Sequence, residues 1–288
     1  MRDTTLKHSR AYSDHTPDIA VPVVFTVEKQ RYFYYISRHW ETYCRMFWKM
    51  LSLLATGLLA AATAKAAEME IPFHNTTREP LVINKDGHLT GIYPDLFREI
   101  MRRAEIPVKL IPTPKLRVRR YFETGKSVLS CCDNPAWRRR PMELTVQLFS
   151  DPFYRTNDIF VFPADIAKPI KNLRELSGLQ VATVRGYGYQ GEEWFGERID
   201  FADEKNILRA VSAKRIDIGI VNEDVVRYWS KTNPDSISSG GIHDSASLHI
   251  RVHRSRNDLL ERINTAIGEI IADGTRDRII AGYLEGRK

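Results

Sequence analysis

Cysteine is scarce in this sequence, with three in 288 residues. Cys44 lies near the N-terminus, and Cys131 and Cys132 are adjacent. Neighbouring residues of a strand point to opposite faces, and no C-x-x-C motif accompanies the pair, which argues against zinc. His249 and His253 are four residues apart but fall in a predicted strand without an acidic third ligand nearby. We therefore expect neither a metal nor a cofactor.

The adjacent cysteines leave two interpretations open. They could be joined by a disulfide bond, or they could be two small buried hydrophobic side chains that end a strand. We favour the second interpretation. For the stretch SCCDNPAWRRRP, a redox function is the least favoured hypothesis.

The sequence also lacks a long run of one charge. Its net charge is +7, but beyond residue 66 the chain has 34 Lys and Arg against 31 Asp and Glu. Acidic and basic residues alternate there, apart from the cluster Arg138-Arg139-Arg140. A weakly basic chain with one local cluster of cations suits a small anion better than a polyphosphate backbone, so no nucleic-acid partner is expected.

No uncharged run is long enough to cross a membrane. The longest, residues 50–64, has 15 residues, whereas a spanning helix needs about 20. It follows a short segment from Met46 with one cation and precedes Ala64-Lys65-Ala66, the layout of a secretory signal peptide. We expect residues 46–66 to be a signal peptide cleaved near Ala66, and residues 1–45 to be an upstream extension absent from the mature protein. A retained membrane anchor is the alternative for residues 46–66, and an unusually long leader is the alternative for residues 1–45.

From residue 67 onward, strand and helix patterns alternate, which predicts α/β layering. Two α/β blocks are expected. The first comprises residues 67–162 plus 244–288, and the second, residues 163–243, is inserted into it. The loop NPDSISSGG is expected to close the second block before the strand LHIRV. Two chain crossings would form a hinge, with a cleft between the lobes.

The stretch RGYGYQG matches the G-x-G-x-x-G fingerprint of dinucleotide-binding proteins at Gly186, Gly188 and Gly191. That motif needs a helix directly after it within a large doubly wound sheet, and the inserted block is too small for one. A glycine loop after a strand nevertheless exposes backbone N–H groups that favour an anion. Arg185 stands next to the loop and either adds positive charge or points to solvent.

Five stretches resemble, in order, the bacterial extracellular solute-binding proteins of the amino-acid type, family 3. They are DGHLTGIYPDLFREI, LFSDPFYRTNDIFVF, NLRELSGLQVATVRGY, DEKNILRAVSAKRIDIGIVNED and ADGTRDRIIAGYL, spread over roughly residues 68–286. The resemblance implies an α/β, two-lobed type II periplasmic binding fold, with the second lobe inserted into the first and a two-strand hinge. It further implies a periplasmic receptor, which we expect to be a monomer, that closes on a small solute and presents it to the permease of an ABC transporter in the inner membrane.

In that family an arginine shortly after the last strand of the first lobe grips the ligand carboxylate. Arg138 is the best match, because a guanidinium can bind a carboxylate through two hydrogen bonds. The usual T-x-x-R reads NPAWRRR here, so Arg139 or Arg140 could take the role instead. Trp137, next to Arg138, could pack against the ligand or between the lobes, and Tyr93 has the same two interpretations.

The second lobe departs from the family pattern at two positions. The hydroxyl residue expected after Gly186 is Tyr187, and the acid expected to hold the ligand α-ammonium is Asn222, followed by Glu223. An Asn side chain cannot balance an ammonium group as a carboxylate does. A small carboxylate-bearing solute is therefore expected, either an amino acid or an atypical anion.

Two other functions remain open. A few relatives of this family are lyases such as cyclohexadienyl dehydratase, and an enzyme would need a general acid or base in the cleft. Glu143 and Glu223 are candidates, although neither lies in a recognisable acid–base pair. A stand-alone sensor of the solute is the other alternative. The primary expectation is a binding protein without catalytic residues.

Overall fold

A computed structural model describes residues 45–49, 67–166 and 168–285 of the chain. The chain divides into two units, residues 1–65 and residues 66–288. Residues 45–49 of the first unit are helical and exposed. The other residues of the expected upstream extension and signal peptide, together with the expected cleavage site, lie outside the described residues. Within the ranges described, no helix is long and apolar enough to cross a membrane.

Strands and helices alternate through the second unit, as the hydrophobic periodicity predicts. The strands are β1 (Met69–His74), β2 (Ile83–Lys85), β3 (His88–Thr90), β4 (Val108–Thr113), β5 (Leu129–Asp133), β6 (Gln147–Phe149), β7 (Tyr154–Pro163), β8 (Gln180–Val184), β9 (Glu197–Phe201), β10 (Ile218–Asn222) and β11 (Ile237–His253). The α-helices are α1 (Ile92–Arg103), α2 (Lys115–Glu123), α3 (Pro141–Val146), α4 (Glu204–Ser212), α5 (Glu223–Ser230), α6 (Leu260–Ala272) and α7 (Thr275–Leu284).

Helix α1 shows how the sequence sets a boundary. Gly91 precedes it with φ of 113°, and a Cβ there would lie 2.8 Å from the carbonyl oxygens of Pro80 and Leu81. Glycine is required at this position because other residues would meet both the strained backbone angle and the close approach. The buried face of the helix, which includes Leu96 and Ile100, then packs into the main hydrophobic core.

Most strands form one mixed sheet with the order β5-β11-β7-β10-β8-β9, and β6 also pairs with β11. Strands β7 and β11 run antiparallel from Tyr154 opposite Leu248 to Pro163 opposite Ile237. Strand β10 pairs with the other edge of β7, and Asn222 lies opposite Asp158. The shared strands β7 and β11 thus join the elements at the two ends of the sheet.

The structure differs from the sequence expectation around β11. The segment NPDSISSGG was expected to be a loop, but Ile237 already begins a 17-residue strand that continues through LHIRV. The expectation failed because glycine and serine are weak strand formers, whereas four ladder pairs with β7, at Ile237, Ser238, Ser239 and Gly241, hold the second half of this segment extended. Helix α5 was not predicted either. It follows β10 directly, with the side chain of Asn222 accepting a hydrogen bond from the N–H of Asp224.

Candidate functional site

A cavity of about 480 Å³ lies within the second unit, among the ends of several strands and the glycine loop. Its walls combine aromatic rings with an unusual number of charged groups of both signs. The charged lining residues are Arg78, Lys115, Arg119, Asp133, Arg138, Asp158, Asp244 and Arg251. A concave site lined by converging charged groups and aromatic rings is suited to a small polar solute.

Five of the six residues proposed from the sequence line this cavity. They are Tyr93, Trp137, Arg138, Gly186 and Tyr187. The sixth, Asn222, is not among the lining residues and is almost fully buried. Its amide donates to Thr156 Oγ1 at 2.6 Å and to the carbonyl of Asn157 at 3.1 Å, while its oxygen caps α5. Both ends of this side chain are therefore occupied within the protein.

Of the three consecutive arginines, Arg138 lines the cavity, whereas Arg139 and Arg140 are exposed and lie outside the lining. The backbone carbonyl of Arg138 accepts a 2.7 Å hydrogen bond from Gln147 Nε2. Its guanidinium forms an ion pair with Asp133, which is buried at the end of β5. The backbone bond and the ion pair fix both the position and the direction of the Arg138 side chain.

Behind Arg138 lies a network of buried charges that the sequence analysis missed. The Arg251 side chain, 2% exposed, has Nη1 3.5 Å from Asp133 Oδ2 and Nη2 3.7 Å from Glu143 Oε1. Glu143 Oε1 is also 4.0 Å from Arg119 Nε and from Arg138 Nε. Three guanidiniums thus share two carboxylates, which leaves one positive charge in excess beside the cavity. No local pattern pointed to Arg251, because an arginine within a strand usually points to solvent.

The opposite sign of charge occurs where β7 and β11 pair. Asp158 of β7 and Asp244 of β11 lie directly opposite each other in the ladder, and both line the cavity. Burial raises the pKa of Asp158, against the positive charge of Arg78, which lowers it. Sequence reasoning missed this pair because the strand register that brings the two acids together cannot be read from either strand alone.

Arg78 and His74 enter the cavity from the end of β1 and the loop that follows it. The Arg78 guanidinium makes two hydrogen bonds to the buried carboxylate of Glu204 at the start of α4, one through Nε and one through Nη2 at 2.7 Å. Glu204 Oε1 also accepts a 2.9 Å bond from the backbone of Asn222. Burial, together with the charges of Arg78 and Lys115, lowers the pKa of His74 to about 4, so this ring is neutral at pH 7.

The glycine loop, residues 185–191, forms another wall. Gly186 has φ of 77°, in the left-handed region that glycine favours, and Tyr187 follows it. Lys115 Nζ lies 4.0 Å from the centre of the Tyr187 ring, a cation–π contact between α2 and the loop. A single 3-10 turn, Glu192–Trp194, follows the loop instead of the α-helix that a dinucleotide site requires. Arg185 is exposed and lies outside the cavity lining.

Cys131 and Cys132 are joined by a disulfide bond, so the favoured interpretation as two unlinked hydrophobic side chains was wrong. Both residues line the cavity, and Cys132 has φ of 69°. Both cysteines lie within β5, near its end, as the sequence predicted. In the part of the chain that the structure covers, no group of three or more His, Cys, Asp or Glu side chains could hold a metal ion.

Comparisons with known proteins define the class. The ligand-binding core of GluR0 in complex with L-glutamate matches with a TM-score of 0.64 at 12% identity, covering 76% of this chain and 100% of that one. The P235GK mutant of ArgBP from T. maritima matches with a TM-score of 0.59 at 20% identity, covering 76% and 95%. The fold is therefore the two-lobed type II periplasmic binding fold, with the second lobe inserted into the first.

The sequence comparisons agree with the fold. Residues 73–286 match the bacterial extracellular solute-binding proteins, family 3, and the chain belongs to that family. The ABC transporter arginine-binding protein 1 of Escherichia coli (strain K12) is 24% identical over 246 residues, which cover 80% of this chain and 97% of that protein. The prediction of family and fold class from the sequence is confirmed.

Proposed function

We propose that this protein is a periplasmic receptor that captures a small carboxylate-bearing solute by closure of its lobes and delivers it to an ABC importer. The observation that carries the proposal is the excess positive charge at Arg138, beside a cavity of amino-acid size. A buried excess charge favours a ligand of opposite sign, and a guanidinium matches a carboxylate geometrically.

The relatives support the same function. The curated relative is named as an arginine-binding component of an ABC transporter, and GluR0 was solved with L-glutamate. An amino acid is therefore the first solute class to test. Export to the periplasm fits both the family and the signal peptide expected at residues 46–66. Binding by a monomer is consistent with a cavity lined by residues of one chain.

The alternative of an enzyme finds less support. Glu143 is nearly fully buried among guanidiniums, and Glu223 accepts a 2.8 Å hydrogen bond from Asn157 Nδ2. Neither of these two candidate acid–base residues lines the cavity. A binding role fits this placement better than catalysis, and transport is favoured over stand-alone sensing because the curated relative belongs to a transporter.

A thermal-shift screen against amino acids, dicarboxylates and inorganic anions tests the proposal. A solute at a hundredfold excess over its Kd should stabilise the protein by about 2.7 kcal/mol. Calorimetry on the best solute should then show at least about 30-fold weaker binding for Arg138→Gln, because one partner of a desolvated charge pair is lost. The matched variant Arg139→Gln, on an exposed side chain, should bind as the wild type does. Equal affinity for all three proteins would remove Arg138 from the site.

A further inference from the structure

Two neighbouring strands differ in the position of an acid. Strand β10 lacks the acid that the family pattern places at position 222, whereas β7 has an acid, Asp158, opposite that position. At position 222 the resemblance to the family implies a carboxylate for the ligand α-ammonium, but the chain has Asn222, whose side chain is turned to Thr156, Asn157 and the start of α5. Asp158, directly opposite Asn222 in the ladder between β10 and β7, does line the cavity. A carboxylate therefore stands one strand away from the expected position.

A second carboxylate faces Asp158 from the other side. Asp244 is its cross-strand partner on β11 and lines the same cavity. Like charges directly opposite each other in an antiparallel ladder are destabilising. Such a pair at a solute cavity is favoured when a cation comes between the two acids.

The two basic side chains that act on the Asp158 carboxyl, Arg78 and His243, both have other partners. Arg78, the guanidinium whose charge acts on Asp158, is bound to Glu204 through two hydrogen bonds. His243, which lies between Ile242 and Asp244 at an irregularity of the ladder, contacts the carbonyl of Gln190 through Nε2 at 2.8 Å. The ion pairs found among the described residues include neither Asp158 nor Asp244.

An independent observation indicates that the same cavity receives a solute with polar groups. Arg251, 2% exposed and part of the lining, has no hydrogen-bond partner in the described structure for Nε or Nη2, and Arg138 has none for Nε. The cavity therefore has a cationic wall at Arg138 and Arg251 with N–H groups that lack a hydrogen-bond partner within the described ranges. Its acidic wall, Asp158 and Asp244, has no ion pair among the described residues, although the side chain of Asn222 forms a hydrogen bond with the Asp158 carboxyl. A solute with one negative and one positive group matches both walls.

We infer that Asp158 and Asp244 form a subsite for a cationic group of the solute, an ammonium or a guanidinium, in place of an acid at position 222. The inference rests on the proposed function and narrows it, because a simple dicarboxylate or inorganic anion would leave both acids unpaired in the cavity. The cationic group can be the α-ammonium of an amino acid or a cation on its side chain. Asp158 is the main contributor, since Asp244 is exposed and also accepts a 2.8 Å hydrogen bond from the N–H of Ser245.

Two matched pairs of compounds test the subsite by calorimetry on the purified protein. L-Glutamate and glutarate differ by the α-ammonium, whereas L-arginine and L-citrulline differ by the charge of the side chain. In at least one pair the compound with the additional cation should bind the wild type at least about 30-fold more tightly. The pair that shows the difference identifies the source of the cation.

The variant Asp158→Asn keeps the shape of the side chain and removes its charge. It should abolish the difference within that pair, and Asp244→Asn should reduce it by a smaller factor. Asp235→Asn, on an exposed acid outside the cavity lining, is the matched control and should bind as the wild type does. Circular dichroism checks that each variant is folded.

The outcomes separate the two proposals. If the compounds bind and Arg138→Gln abolishes binding, but Asp158→Asn retains the wild-type preference, the cation subsite is wrong and the proposed function stands. Equal binding of both members in both pairs also overturns the subsite. If none of the four compounds binds the wild type and an inorganic anion does, the subsite and the carboxylate-solute function are both wrong.

Discussion

The pKa of His74 is set by the position of its side chain in the cavity wall. Burial lowers its pKa to about 4, and the positive charges of Arg78 and Lys115 act in the same direction. A histidine in the unfolded chain has a pKa near 6.5. Between about pH 6.5 and pH 4 the unfolded state therefore binds a proton at this histidine, whereas the folded state does not. Acidification from about pH 6.5 towards pH 4 therefore favours unfolding.

We predict that His74→Gln reduces the loss of stability on acidification. Between pH 7 and pH 5, without added solute, the wild type should lose on the order of 1–2 kcal/mol more unfolding free energy than the variant. Urea unfolding at the two pH values measures this difference. His88→Gln, on an exposed histidine of β3, should follow the wild type. Equal losses for wild type and His74→Gln would contradict the assignment of a neutral ring at pH 7.

At this scale the residues proposed from the sequence that line the cavity are mostly those that follow a local motif. Arg138 and Trp137 were proposed from the segment after a strand, and Gly186 and Tyr187 from the glycine loop. Whether a side chain of a strand faces the cavity depends on its register with neighbouring strands. That information is not local, and it explains why Asn222 was proposed while Asp158 on the adjacent strand was not.

At the scale of elements, strands β5 and β11 and helices α2 and α3 meet at the buried charge network. Glu143 of α3 is 1% exposed and lies near the guanidiniums of Arg119, Arg138 and Arg251. Removing one partner from a buried ion network leaves a charge without compensation, which costs more than the loss of an exposed pair. The network therefore couples the position of the Arg138 side chain to the packing of these elements.

We predict that Glu143→Gln lowers the free energy of unfolding by about 3–5 kcal/mol. The double variant Glu143→Leu/Arg251→Met, which removes one charge of each sign, should recover most of that loss. Asp258→Asn breaks an exposed pair with Arg256 and should cost about 1 kcal/mol or less. Chemical denaturation measures all three. A Glu143→Gln variant as stable as Asp258→Asn would show that the network is not a structural unit.

Elements with a strong hydrophobic period were predicted well from the sequence. Helices α1, α4, α6 and α7 and the short buried strands fall where the pattern placed them. The long strand β11 was not foreseen, because the stretch Ser238 to Gly241 has turn-like composition and is held extended only by its pairing with β7. Strand pairing, which depends on distant parts of the chain, decided this element.

At the scale of the whole second unit, ion pairs and ring contacts join segments that the sequence assigns to different lobes. With the lobe bounds predicted from the sequence, Arg78 and Lys115 belong to the first lobe, and Glu204 and Tyr187 belong to the second. The Arg78–Glu204 pair is mostly buried, with side-chain exposures of 22% and 4%, and Lys115 lies over the Tyr187 ring. With those bounds, we infer that these contacts favour a closed arrangement of the lobes around the cavity.

We predict that Glu204→Gln opens the protein in the absence of solute. Loss of the buried pair removes an interaction that exists only in the closed state, so the population shifts towards the open state. Small-angle X-ray scattering should then give a larger radius of gyration for Glu204→Gln and for Arg78→Gln than for the wild type.

Arg102→Gln, which breaks a pair with Glu99 inside α1, is the control and should scatter as the wild type does. Because Glu204 lies outside the cavity lining, a change in its variant reports on closure and not on a lost solute contact. Identical radii of gyration for all four proteins would contradict a role of the Arg78–Glu204 pair in holding the lobes together.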